Sequence, residues 1–101
     1  MVALPAQASV SQYGYVFGFQ TTSSGAVFFQ TTGTRSGQPS CQNPNYPTRW
    51  IFDAATPAGQ AQLSVLLTAY SMHKPLMVVG AGACSPGGDT EVVSMMATDN
   101  V

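Results

Sequence analysis

Two loop-rich stretches of this sequence carry side chains that could bind a ligand. The candidate contacts are Tyr46, Arg49, Trp50, Gly87, Gly88 and Asp89. Tyr46 and Trp50 offer rings that can stack on the apolar face of a sugar at low entropic cost. Arg49, with Asp53 as acceptor, could exchange hydrogen bonds with sugar hydroxyls, and the backbone N–H groups and carboxylate of the glycine-rich stretch could hold a polyol.

Each of these contacts also has a structural interpretation, which the sequence alone leaves open. A Trp in a short strand is more often a core residue than a ligand contact. Arg49 and Asp53 would form an ordinary surface ion pair, and residues 87–89 a tight turn beside a disulfide. The two interpretations differ in exposure, because only a ligand contact must reach the surface.

Enzymatic side-chain combinations are missing from the sequence. It has one His, His73, and four carboxylates, with neither a nucleophile elbow nor a glycine-rich phosphate loop before a Lys. Asp89 and Glu91 could in principle serve as acid and base, but no third group is placed to assist them. His73, followed by Lys74, suits a position near a helix C-terminus. We therefore predict no enzymatic activity and no cofactor.

The two cysteines, Cys41 and Cys84, lie in stretches rich in Gly, Pro and Ser. Small exported domains often place disulfides in such stretches, so the sequence predicts a bridge between them. The alternative is two separate buried thiols. A metal site needs more ligands than two Cys and one His at these separations, so no metal is expected.

The N-terminal residues contain a signal of export. Leu4-Pro5-Ala6-Gln7-Ala8 resembles the small-residue end of a secretory leader, with Ala6-x-Ala8 as the cleavage triplet. Together with the predicted disulfide this favours a secreted or periplasmic protein, although the resemblance to a leader could be accidental. Residues 1–12 are expected to form a flexible leader, or an added edge segment, ahead of a single domain over residues 13–101.

The amino-acid composition limits the classes of function that the protein could have. The chain has 101 residues, of which 45% are apolar and only 7% are charged, against roughly 25% charged in typical domains. Its three basic residues are too few to neutralise a nucleic-acid backbone. No apolar run reaches the length of a membrane helix, so membrane insertion is not expected.

Periodic runs predict five strands and one helix. The predicted strands cover residues 13–20, 26–32, 49–52, 76–81 and 91–97. Every second residue from Tyr13 to Phe19 is aromatic, which predicts a strand with one aromatic face, paired in a hairpin with the second strand. Residues 33–48 form a long irregular stretch that Cys41 would tie down.

The helix is predicted from Thr56, as N-cap, and Pro57 to about His73, because Pro75 stops it. Its predicted buried stripe is Leu63, Leu66, Leu67 and Tyr70. Its opposite face is Gln60, Ser64, Thr68 and Ser71. That face is uncharged and mostly small, which suits packing against another helix, although an ordinary exported surface explains it nearly as well.

The resulting order is strand, strand, strand, helix, strand, strand. This is the order of the oligonucleotide/oligosaccharide-binding (OB) barrel. The sequence therefore predicts a mainly β, α+β domain: a five-stranded OB barrel with one helix and one disulfide.

Three segments in the second half sharpen this prediction. They are Ser64-Val65-Leu66-Leu67-Thr68-Ala69, Met77-Val78-Val79 and Ala83-Cys84-Ser85-Pro86-Gly87-Gly88-Asp89-Thr90-Glu91-Val92-Val93. Taken together in chain order, the three segments resemble the Shiga toxin B subunit family. Arg49-Trp50 is similar to the Arg-Trp that precedes the helix in that family. The resemblance covers roughly residues 49–97.

The resemblance implies a bacterial homopentamer whose helices line a central pore, which binds cell-surface glycans and carries a catalytic A subunit. Residues 21–24 are Thr and Ser where the family has acidic residues, so the fold is implied without the same sugar specificity. We therefore expect a secreted, glycan-binding, ring-forming lectin. The alternative is a small exported structural, interaction or inhibitor domain of the same fold that binds no sugar.

Overall fold

The computed structural model describes residues 9–84 and 88–98. The elements in chain order are β1 (Val10–Gly14), β2 (Val16–Thr21), β3 (Ala26–Thr31), β4 (Arg35–Ser36), β5 (Arg49–Asp53), α1 (Pro57–Ser71), β6 (Leu76–Cys84) and β7 (Glu91–Thr98). The described residues are therefore mainly β with one helix, as predicted. The proposed leader residues 1–8 lie outside the described residues.

The strands form one mixed sheet in the order β2-β3-β5-β7-β6-β1-β4. β5 and β7 run parallel, and the other neighbouring pairs run antiparallel. The expected number of strands, five, is wrong, because the described chain forms seven. One of the additional strands, β4, is only two residues long.

The single first strand that alternation predicts is in fact two strands, which separate at Tyr15. β2 pairs with β3, whereas β1 pairs with β6 and β4 at the other end of the sheet order. Gly14 permits a close approach to the backbone of Gly33 at this point, because a Cβ there would lie 2.0 Å from the Gly33 N. The expected common aromatic face is therefore absent: Phe17 is exposed, while Phe19 is partly buried.

Residues 10–12 are part of the sheet. They belong to β1, where Val10 pairs with Val79 and Ser11 with Val78. The sequence leaves a flexible leader and an added edge segment open for this stretch, because Ser11 and Gln12 break the apolar alternation that would predict a strand. Ser11 is nevertheless buried, and its hydroxyl hydrogen-bonds Thr31 at 3.0 Å.

The helix begins where it was predicted. The Thr56 side chain accepts a hydrogen bond from the Gly59 N–H at 2.9 Å, and α1 ends at Ser71 with Met72 as C-cap. The predicted stripe is only partly right, because Leu67 and Tyr70 are exposed and the buried residues are Gly59, Leu66 and Ala69. The small residues Gly59 and Ala69 let this face of the helix approach the sheet closely. Leu67 follows Leu66 by one residue, which rotates its side chain by about 100° around the helix axis, away from the sheet.

The core lies between α1 and the inner face of the sheet. Its buried members are Val27, Phe29, Trp50, Phe52, Ala54, Leu66, Ala69, Leu76, Val78, Val93 and Met96. Alternate positions of β3 and β5 supply its aromatic residues, so the residues between them face the other side of the sheet.

The predicted disulfide is confirmed. Cys41 and Cys84 are bonded, with their Cα atoms 6.2 Å apart. The bridge joins the irregular stretch before β5 to the end of β6, and it fits an extracellular or periplasmic location. In the described residues, no helix is long and apolar enough to cross a membrane.

Candidate functional site

A cleft opens on the face of β2, β3 and β5 that points away from the helix. Its volume is about 230 Å³. Its lining residues are Gly18, Gln20, Phe28, Gln30, Tyr46 and Arg49. The lining combines two aromatic rings, two amides and a guanidinium, so apolar ring faces lie beside hydrogen-bond donors and acceptors.

The strand register places these side chains in rows. Phe17 pairs with Gln30, and Gln30 pairs with Arg49, so one row crosses three strands. Gln20 pairs with Phe28 in the row beside it. Directly paired residues lie about 5 Å apart on the same face of a sheet. Phe17, which is 43% exposed, therefore extends the cleft at its β2 side.

Arg49 is the central polar group of the cleft. Its Nη2 lies 2.7 Å from Asp89 Oδ1, and its Nε donates to the Thr90 hydroxyl at 2.9 Å. The guanidinium carbon lies 4.2 Å from the centre of the Tyr46 ring and 5.4 Å from that of Phe28. Asp89 compensates the charge of Arg49, so the cleft is close to neutral while keeping N–H donors at its surface.

Asp89 also joins the two loops beside the cleft. The Asn43 side-chain amide donates to Asp89 Oδ2 at 2.8 Å, and the Asn43 backbone N–H donates to the Asp89 carbonyl, also at 2.8 Å. The Asn43 hydrogen bond, followed by the charge of Arg49, lowers the pKa of Asp89. The carboxylate is therefore ionised over the whole neutral range.

Two amides of the cleft retain hydrogen-bonding capacity. Gln30 Oε1 accepts from the Thr48 hydroxyl at 2.7 Å. In residues 9–84 and 88–98, the NH₂ group of Gln30 and the side chain of Gln20 have no hydrogen-bond partner in the protein. Gly18 leaves space beside them, because a Cβ at this position would lie 3.0 Å from Gln30 Nε2. Its φ of +63° is a second reason for a glycine here.

The structure brings together three of the predicted contacts. Tyr46, Arg49 and Asp89 meet at one end of the cleft, and Tyr46 is 45% exposed. Gly88 is exposed next to Asp89, and Gly87 lies outside the described residues. The expected partner of Arg49 was Asp53, which is wrong.

Asp53 instead accepts from the backbone N–H of Ala55 at 2.9 Å, in the turn before α1. Its position four residues after Arg49 on an extended strand carries it to the far end of β5. A hydrogen bond to the following turn is a common role for Asp.

Trp50 is not a ligand platform. It is 0% exposed and belongs to the core. Successive residues of a strand point to opposite faces, so Arg49 and Trp50 cannot both contact one ligand. In the described part of the chain Trp50 Nε1 has no hydrogen-bond partner, while the guanidinium of Arg35 lies 3.7 Å from the ring centre.

Sequence reasoning missed Phe17, Gln20, Phe28 and Gln30. The signal was present in the hairpin itself: Phe28 and Gln30 alternate with the core residues Val27 and Phe29. An amide at an outward position beside an exposed aromatic ring is a reason to suspect a binding face.

A buried ion pair behind the cleft was also missed. Arg35 Nη2 lies 2.7 Å from Glu91 Oε1, and the two side chains are 2% and 0% exposed. Burial lowers the pKa of the Arg35 guanidinium, and the hydrogen bond and charge of Glu91 oppose this lowering. Because Glu91 is buried and Asp89 is exposed, these two carboxylates do not face one ligand as an acid–base pair.

Arg35 positions the loop that carries Tyr46. Its Nη1 donates to the carbonyls of Pro47, at 2.9 Å, and Arg49, at 3.1 Å. Gln42 adds a second link: Oε1 accepts from the Glu91 N–H, and Nε2 donates to the Tyr46 carbonyl, both at 2.8 Å. The buried network therefore supports one wall of the cleft.

The predicted oligomer face of the helix is accessible. Its members Gln60, Ser64, Thr68 and Ser71 are all exposed. Two shallow grooves, of about 240 and 200 Å³, run beside it between α1 and β7.

Comparisons with known proteins identify no relative of this chain. No family model, curated protein or solved structure matches the chain. Within residues 9–84 and 88–98, no three His, Cys, Asp or Glu side chains are grouped so as to hold a metal ion.

Proposed function

We propose that this protein is an exported lectin that binds the sugar residues of a glycan in the cleft between Gln20, Gln30, Tyr46 and Arg49. The observation that carries the proposal is the composition of that cleft. Aromatic rings, free amide groups and a charge-compensated guanidinium face one opening of about 230 Å³.

The proposed binding mode uses each of these groups for one part of a sugar. The Tyr46 and Phe28 rings contact the apolar face of the pyranose, where C–H groups point outward. The amides of Gln20 and Gln30 and the remaining N–H groups of Arg49 exchange hydrogen bonds with hydroxyls. Because Asp89 compensates Arg49, neutral hexoses are the preferred class.

The proposed architecture is an OB-like barrel. It is supported by the position of β1 and β2, which are separated only by Tyr15 and pair at opposite ends of the sheet order. Counted as one interrupted strand, they would join the two ends of a five-stranded barrel. The parallel pairing of β5 with β7 and the position of α1 between β5 and β6 agree with this interpretation.

We further propose that copies of the chain assemble into a ring through the helix, as the resemblance to Shiga toxin B subunits implies. The support is that α1 carries no charged residue and exposes Leu67 and Tyr70, at 45% and 54%. A pentamer that carries a catalytic A subunit is the arrangement in that family. The protein itself is proposed to have no enzymatic activity.

The test is binding of the disulfide-bonded protein to an array of immobilised glycans. We expect signals from neutral glycans, and a loss of about tenfold or more in affinity in Tyr46→Ala, as for a central aromatic contact. Tyr13→Ala is the matched control, because Tyr13 is 46% exposed but lies in β1, outside the cleft lining. Absence of binding to any glycan, or equal losses in both variants, would contradict the proposal.

The second candidate is an exported interaction domain that binds no sugar. The observation that favours it is the cluster of apolar residues near the end of α1, where Met72 is 62% exposed beside Tyr70. The glycan array separates the two candidates, and light scattering tests the ring assembly that either could form. An oligomer that gives no signal on the glycan array supports this alternative, whereas a monomer at micromolar concentration removes the ring from both.

A further inference from the structure

Ser9 is fully buried beside the carboxylate of Glu91. Its exposure is 0%, its backbone N lies 3.2 Å from Glu91 Oε2, and its hydroxyl donates to Glu91 Oε1. The Ser9 carbonyl accepts from the Gly80 N–H at 2.8 Å. The residue directly before it is Ala8, the last residue of the Ala6-Gln7-Ala8 triplet.

The two oxygens of Glu91 have different partners. Oε1 contacts the guanidinium of Arg35 at 2.7 Å. In the described part of the chain, Oε2 contacts only neutral donors, the backbone N–H groups of Ser9 and Gly82, the latter at 2.9 Å. One half of a buried carboxylate therefore faces no positive charge.

We propose that a leader peptidase hydrolyses the bond between Ala8 and Ser9, and that the new Ser9 α-ammonium pairs with Glu91 Oε2 in the folded protein. Hydrolysis breaks the bond from the Ala8 carbonyl carbon to the Ser9 nitrogen. The oxygen of water stays on Ala8 as a carboxylate, and both of its hydrogens finish on the Ser9 nitrogen. The inference rests on export and is independent of glycan binding.

The chemistry on both sides of the bond suits this step. Small residues at the last and third-last positions of a leader are what leader peptidases recognise, and Ala8 and Ala6 occupy them. The nitrogen that cleavage would free is already within hydrogen-bond distance of a buried carboxylate. A charged donor makes a stronger hydrogen bond to a carboxylate than a neutral N–H does.

The two cations would share one carboxylate, with Arg35 on Oε1 and the Ser9 α-ammonium on Oε2, and Arg35 has further neutral acceptors. Its guanidinium donates to the Pro47 and Arg49 carbonyls and lies over the Trp50 ring. Gly80 leaves the space that the carboxylate needs, because a Cβ there would lie 1.9 Å from Glu91 Oε2. The site therefore holds the carboxylate in place for a cation on its Oε2 side.

The first measurement is the mass of the exported protein. Residues from Leu4 onward are placed behind the charged and hydrophobic regions of a periplasmic leader, and the product is purified from the periplasm. We expect the mass of a disulfide-bonded chain that begins at Ser9, and retention of the leader in Ala8→Phe. A chain that begins at any other residue would overturn the proposed cleavage.

The second measurement is the reactivity of that N-terminus toward an acylating ester at pH 7. Lys74 is the only lysine and serves as an internal reference. An exposed α-amine reacts faster than a lysine, because its pKa is about 7.7 rather than about 10.4. We expect the reverse order in the folded protein, with Ser9 reacting about tenfold more slowly than Lys74, and the normal order in urea.

Two variants locate the protection. Ser9→Ala keeps the α-amine and removes only the hydroxyl hydrogen bond, so its amine should remain protected. Glu91→Gln, where it folds, should expose the amine. Faster labelling of Ser9 than of Lys74 in the folded processed chain would show a free N-terminus and overturn the pairing, even if cleavage occurs at Ala8.

Discussion

Two ion pairs of equal length show how environment decides the role of a residue. Arg35–Glu91 and Arg49–Asp89 are both 2.7 Å long, but the first is buried and the second is half exposed at its carboxylate. A buried charge that loses its partner is strongly destabilising, whereas exposed pairs contribute little. The first pair therefore belongs to the fold, and the second to the cleft.

This difference predicts opposite outcomes for two similar substitutions. Glu91→Gln should lower the free energy of unfolding by about 3 kcal/mol, because it leaves Arg35 buried without a counter-charge. Asp89→Asn should leave stability nearly unchanged and reduce glycan binding, because Arg49 loses its orienting partner. Urea unfolding followed by Trp50 fluorescence measures the stability of both variants, and the glycan array measures binding by Asp89→Asn. Similar losses of stability in the two variants would contradict the assignment.

The hydrogen bond from Asn43 should be visible in the titration of Asp89. Its pKa is lowered in the folded state, first by the Asn43 hydrogen bond, so its midpoint should lie below the usual value of about 3.9. The small contribution of ionised Asp89 to the stability of the fold is present above its unfolded pKa. It is lost as the pH falls through its folded pKa.

Carboxyl carbon chemical shifts, followed by NMR from neutral to acid pH, measure that midpoint. The Asn43→Ala variant should raise it toward the usual value. A midpoint at or above about 3.9 in the unmodified chain, or no change in the variant, would show that Asn43 does not hold the carboxylate.

At the scale of elements, local signals in the sequence predicted the helix well and the first strand poorly. Thr56 and Pro57 mark a helix start through their own chemistry, without reference to distant residues. The break at Tyr15 lies beside a close approach of Gly14 to Gly33, which no local pattern contains. Trp50 could have been assigned to the core, since the neighbouring Arg49 must face the other side of β5.

The first turn of α1 offers a test of close packing between elements. Gly→Ala usually stabilises a helix by about 1 kcal/mol. At Gly59 we expect destabilisation of about 1–3 kcal/mol, because the added Cβ would overpack a full site. That Cβ would lie 1.7 Å from the Asp53 carbonyl oxygen. Ser64→Ala, exposed in the same helix, is the control and should be neutral or slightly stabilising. A stabilised Gly59→Ala would contradict the close approach of α1 to β5.

At the scale of the whole molecule, composition and cysteines predicted more than the strand count did. A mainly β chain with one helix and a Cys41–Cys84 bridge is what the structure has. The mixed sheet order and the Arg35–Glu91 network could not be predicted, because both join residues that are far apart in sequence. The cleft depends on this long-range organisation: β2, β3, β5 and the loop before β5 each contribute to its lining.

Binding of a sugar in the cleft can be followed residue by residue by NMR during a titration. The ligand is the neutral glycan that gives the strongest array signal, and the signals are the side-chain N–H groups of Gln20, Gln30 and Arg49. We expect these three signals to shift first and to saturate together, while the side-chain signal of Gln60 on the helix does not shift. Shifts confined to the helix, with the three cleft signals unchanged at saturating glycan, would contradict binding in the cleft.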